Sequence, residues 1–254
     1  MLATMRPETP SCARCELRKV SLLILFFSAP LWAGASSQFD GVNDEFTNLS
    51  FPWSGGPVTV VFWNHVASSD LQEAAAFTVG NGDPLPDTDR FECHCPWSDG
   101  NVYWDYGDVT GAGRISTSYA AYDDKWTHVG LVSDGGGSFM GIYLDGSLVQ
   151  SAGSSDAPGS LSVLRVGQML YQQSPPASFW HKGKISNFRI YGRVLNAAEI
   201  KQAMHCANLP ANTAVHWNLW AAGDIPDLSG NGWTGTDAGA TESSDGPPAS
   251  WCDE

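Results

Sequence analysis

GKISNFRIYGRVLNAAEI, residues 183–200, joins two different periodicities. From Lys184 to Tyr191 the pattern is that of a strand. Ile185, Asn187, Arg189 and Tyr191 fall on one side of an extended chain, Phe188 and Ile190 on the other. The pattern then changes. Asn196 fits as a helix N-cap, Glu199 three residues later as its capping-box partner, and Leu195 and Ile200 take the staple positions. A helix is therefore predicted from Ala197 to about His205. One short helix in a chain of strands reads as a cap over an open end of a β structure, not as a second domain.

Outward from this stretch, the segments read as short strands broken by Gly, Asp and Pro. Val58–Trp63 is β-branched and aromatic. Arg90–Pro96 and Asn101–Tyr106 flank the turn Trp97-Ser-Asp-Gly100. Phe139–Leu144 and Ser147–Gln150 flank Asp145-Gly146, a strong hairpin signal because a type I′ turn needs positive φ at both central residues. Thr127–Ser133 and Leu164–Gln168 add further strands. The expected fold is all-β, an antiparallel two-sheet β-sandwich with one short capping helix. Composition agrees: 43% hydrophobic and 16% charged residues, with 27 Gly, allow a sizeable core and oppose a long helical bundle. The net charge of −14 repels phosphate backbones, so nucleic acid is not an expected partner.

The first 35 residues are set apart. Arg18-Lys19, the apolar run Val20–Trp32 and Ala33-Gly34-Ala35 make a secretory signal peptide over residues 1–35. The remainder divides into a folded domain at 36–237 and a loose tail at 238–254, rich in Gly, Ser, Pro and acid. A secreted, extracellular protein with no membrane association after cleavage is expected. Four cysteines follow the leader. Cys93 and Cys95 share one face of a strand, joined or free, and the favoured bridge is Cys206–Cys252, which would hold the tail.

Five stretches, taken in order, resemble LamG-like jellyroll domains of the concanavalin A-like lectin/glucanase superfamily. They are FDGVNDEF (39–46), WSDGNVYWDY (97–106), KWTHVGL (125–131), GIYLDG (141–146) and the opening stretch. The resemblance implies a jellyroll whose first and last strands lie side by side. A further family-like run, DLSGNGWTGT (227–236), usually opens such domains but here stands near the end, where it could fill the N-terminal place from the other side or begin a truncated second module. The resemblance also implies one structural Ca²⁺, with Asp40, Asp44, Asp227 and Asn231 as donors if those strands meet. An EF-hand reading of 227–238 fails, because position 12 is Ala238 and no helices flank the loop.

For function the resemblance leaves three classes open. Retaining glycoside hydrolysis needs paired carboxylates about 5.5 Å apart, commonly at alternate strand positions. Glu92 has no acid at 90 or 94, and Asp105 and Asp108 face opposite ways, so no catalytic residue is assigned. His128 sits at a framework position and reads as a hydrogen-bonded core residue, and Trp63, Trp104 and Trp126 read as buried framework residues. The favoured function is a non-catalytic module binding glycans or extracellular protein, with Trp97, Tyr171 and Trp180 as loop aromatics that stack on sugar rings. The alternatives are a glycoside hydrolase or polysaccharide lyase, and a self-assembling component of an envelope or filament.

Overall fold

The computed structural model describes residues 35–81, 88–153, 157–171, 177–205, 210–220 and 223–248. Two antiparallel sheets face each other. The first runs β10 (Ser147–Ala152), β9 (Met140–Leu144), β8 (Thr127–Ser133), β3 (Val58–His65), β14 (Lys182–Tyr191), β1 (Ser36–Asp40) and β17 (Thr241–Ser243), with β15 (Thr213–Trp217) also paired to β14. The second runs β16 (Thr236–Ala238), β2 (Glu45–Asn48), β11 (Val163–Val166), β4 (Phe77–Gly80), β5 (Arg90–His94), β6 (Asn101–Tyr106) and β7 (Arg114–Ser118). A separate hairpin joins β12 (Gln168–Tyr171) to β13 (Ala177–Trp180). This is the two-sheet jellyroll expected, and the Asp145-Gly146 turn joins β9 to β10 with φ 47° and 70°.

The core lies between the sheets and is largely aromatic. Phe77 of β4 is its hub, meeting Phe62 edge-on at 5.8 Å and Phe188 at 5.3 Å. Rings at these separations gain beyond simple burial. Cys93 and Cys95 share the core face, as expected, and both are free thiols. Cys206 and Cys252 lie outside the described residues.

The opening stretch departs from its own alternation. Ile185 joins Phe188 and Ile190 in the core instead of sharing a face with Tyr191. The cause is a bulge. Ser186 pairs with Trp63 and Arg189 with Val61, so two residues of β14 oppose one of β3. Asn187 absorbs the extra residue with φ 53°, a region Asn tolerates better than most side chains. Past the bulge, Arg189 and Tyr191 sit beneath the helix α1 (Ala197–Met204), whose capping box forms as expected. Arg189 Nη1 donates to the Ala203 carbonyl at 2.9 Å, placing a cation at the helix C-terminus. The helix covers the outer face of the first sheet, packing Ile200 and Ala203 on Val61, Val132 and Tyr143, not an open end.

The C-terminal segment also differs from expectation. Residues 238–243 are not a loose tail. β17 pairs with β1 and β16 with β2, so the end of the chain closes both sheets beside the beginning. The adjacency implied by the resemblance therefore holds, and the sandwich continues past residue 237. Among the described residues no helix is long and apolar enough to cross a membrane.

Candidate functional site

Alternation along β5 and β6 builds the site. Phe91 and Cys93 point into the core, which turns Arg90, Glu92 and His94 to the opposite face of the second sheet. On β6, Trp104 is core, so Tyr103 and Asp105 share the face of His94. Register then sets the chemistry. Glu92 lies opposite Asp105 across the β5–β6 pair, and Asp105 lies opposite Arg114 on β7. The β12–β13 hairpin brings Met169 and Phe179 over this face, and Trp97 packs against Phe179 at 5.4 Å. Together they enclose a groove of about 470 Å³, lined among others by His94, Trp97, Tyr103, Thr110 and Arg114.

Beneath the groove lies a buried ion network. Arg90 Nη2 is 2.7 Å from Glu92 Oε1, and Arg114 Nε donates to Asp105 Oδ1 at 2.6 Å while its Nη2 reaches Oδ2. His94 Nε2 stands 3.5 Å from Glu92 and 3.6 Å from Asp105, and its Nδ1 lies 2.8 Å from the Ala74 carbonyl. Burial alone would make this imidazole harder to protonate. Hydrogen bonds and charge from Asp105 and Glu92 outweigh burial and raise its pKa to about 9, so at neutral pH it is a cation whose Nδ1–H donates to Ala74. Asp105 is the converse: burial favours its neutral form, but Arg114 and His94 hold it well below the usual carboxylate range. Among the described residues the cluster holds three cations and two carboxylates.

Glu92, His94 and Asp105 also form the one group among the described residues whose donor atoms, all within 4.8 Å of one another, could hold a metal ion. Calcium fits it poorly. A hard cation wants six to eight oxygens, and here a ring nitrogen and two guanidinium groups already surround the carboxylates.

Trp97 lies in the groove, half-buried, with its ring 4.5 Å from that of His94. Trp180 is half-buried in β13, opposite Gln168. Tyr171 ends β12, and its side chain is outside the described set. Of the calcium donors read from the sequence, Asp40 and Asp44 do meet: Asp44 Oδ2 accepts the Asp40 N–H at 2.7 Å. Burial raises the Asp44 pKa, with the charges of Asp40 and Asp237 adding to it. The further acid whose charge reaches Asp44 is Asp237 of β16. Asp227 instead organises its own turn, accepting N–H groups from His216, Ser229 and Trp233. Asn231 Nδ2 donates to the Thr213 and Ala214 carbonyls. Burial would raise the Asp227 pKa, but those donors outweigh it and lower it. The SGNG run is a hydrogen-bonded turn.

Two other expectations change. His128 is a core residue, but neither ring nitrogen has a hydrogen-bond partner. It packs edge-on against Trp63 at 5.3 Å, and burial drives its pKa to about 3. Trp126, whose fellow framework residues Trp63 and Trp104 are buried, is only half-buried and donates its indole N–H to Asp245. The residues missed in the sequence are Arg90, His94, Tyr103 and Arg114. The alternation Arg90, Glu92, His94 is visible there; the cross-strand pairing of Glu92 with Asp105 is not.

The jellyroll is shared widely. A Bacteroides ovatus protein inferred to bind carbohydrate superposes with TM-score 0.62 at 17% identity, over 86% of this chain and 62% of its own. The chain thus spans under two thirds of that protein's length. A heptameric SAP-like pentraxin from Limulus polyphemus superposes with TM-score 0.61 at 14% identity, over 87% of this chain and 98% of its own. At such identities the likeness speaks for the fold. Among curated proteins no sequence matches. Residues 34–201 match the concanavalin A-like lectin/glucanases superfamily, and with the two-sheet jellyroll in place the chain belongs to that family as a LamG-like domain.

Proposed function

We propose that this chain is a non-catalytic glycan-binding module whose site is the groove between β5–β7 and the β12–β13 hairpin. One observation carries this reading. Trp97 and Tyr103 present rings beside a rigid network of buried ions, the pairing of stacking surface and fixed polar groups that sugars need. The likeness to the Bacteroides ovatus protein supports it. A glycan array identifies ligands, and Trp97→Ala then weakens binding about tenfold by removing the stacking ring. An unchanged Kd for that variant removes the groove from consideration.

Hydrolysis has one observation in its favour: the carboxylates of Glu92 and Asp105 approach within 4.8 Å, close to the spacing of about 5.5 Å in retaining glycosidases. Their environment argues against it. Both are fully buried and ion-paired, and Asp105 is held ionised, so it does not serve as a proton donor. Release of reducing sugar that Glu92→Gln abolishes would reverse this judgement.

The reading includes export with cleavage after Ala35, supported by the start of β1 at Ser36. N-terminal sequencing of secreted protein tests it. A structural Ca²⁺ on the Asp40–Asp44 pair, its shell completed by backbone carbonyls and water, would offset the burial and neighbouring charge that raise the Asp44 pKa. A Tm unmoved by EDTA would remove the ion. A Cys206–Cys252 bridge would tie down the chain end beyond β17, and non-reducing peptide mapping decides it.

A further inference from the structure

We propose that the groove selects acidic glycans, a carboxylate or sulfate group on the sugar binding the Arg114 guanidinium while the sugar ring stacks on Trp97. This rests on the glycan-binding reading and narrows its ligand class. Arg114 spends Nε and Nη2 on Asp105, and its Nη1 makes no hydrogen bond among the described residues. Its side chain is 38% exposed and lines the groove, with its guanidinium 5.2 Å from the centre of the Tyr103 ring. Asp105 and Tyr103 thus fix a planar donor at the groove wall, the geometry that suits an oxyanion. Two acids at the rim are occupied by neutral donors, and the third faces solvent. Asp99 accepts the Tyr103 hydroxyl and the Asn101 amide, and Asp108 accepts the Thr110 hydroxyl and N–H, whereas Glu73 is exposed.

The test is calorimetric titration of the full chain with matched probes: oligogalacturonate against its methyl ester, sialyllactose against lactose, and a sulfated against an unsulfated galactan oligosaccharide. The acid form of at least one pair should bind about tenfold tighter, the gain expected of a charge-assisted hydrogen bond. The three arms tell carboxylate from sulfate. The double variant Arg114→Gln/Asp105→Asn removes the guanidinium without stranding a buried carboxylate. It should bring the acid-to-neutral ratio to about one, with circular dichroism confirming the fold. Equal or tighter binding of every neutral partner overturns the acidic-sugar assignment and leaves the glycan-binding reading standing. A preference that survives in the double variant removes Arg114. Binding of no glycan of any kind sinks both readings.

Discussion

Raising the pH through 9 should destabilise this protein through one residue, His94. Its imidazole is almost fully buried, which alone would lower its pKa, yet Asp105 and Glu92 raise it from 6.5 to about 9. That difference corresponds to about 3 kcal/mol of folding free energy. Because the folded-state pKa lies above the unfolded one, the contribution is complete below pH 6.5 and is lost as the pH rises to about 9. The assay is urea unfolding followed by tryptophan fluorescence at pH 6, 8 and 10, for the wild type and His94→Gln. Both proteins share the titrations of their Tyr, Lys and Cys groups, so the difference between them isolates the imidazole. The wild-type advantage should shrink by about 3 kcal/mol across this window, and the His94 Cε1 proton should titrate near 9 by NMR. Equal pH slopes for the two proteins, or a His94 titration at or below 6.5, would refute the ion network as described.

Acid should act with the opposite sign on other histidines. Burial lowers His128, His181 and His216 to about 3, so their neutral forms stabilise the fold fully above pH 6.5 and progressively less as the pH falls toward 3. Each costs up to ~1.4 kcal/mol per pH unit in that range, and loss of native fluorescence is expected above about pH 4. Native near-UV dichroism persisting at about pH 3 would contradict it. Gly167→Ala should cost about 2–4 kcal/mol by urea unfolding, because φ is +95° and the new Cβ would fall on the Phe39 ring; a loss below about 1 kcal/mol would show that the ring yields. Asn196→Ala removes the acceptor for the Ala198 and Glu199 N–H groups and should cost about 1 kcal/mol, with Asn196→Asp close to neutral. A loss equal in both variants would point away from capping.

The sequence by itself determined the local elements. Hairpin turns at Asp145-Gly146 and Trp97–Gly100, the capping box at Asn196 and Glu199, and the order of five family-like stretches each depend on residues close together in the chain, so each was legible without coordinates. The tertiary structure decided whatever depends on register between distant strands. A single extra residue at Asn187 moved Ile185 to the core and set the polar end of β14 beneath the helix, and no alternation rule announces a bulge. Closure of the sandwich by residues 236–243 rests on backbone hydrogen bonds to β1 and β2, which composition does not encode. The candidate site is the clearest case. A search for paired acids along one strand found none, whereas pairing across strands set Glu92 against Asp105 and Asp105 against Arg114. Side chains on adjacent strands meet at about 5 Å whatever their separation in sequence, so a buried ion network can be written in residues that only folding brings together.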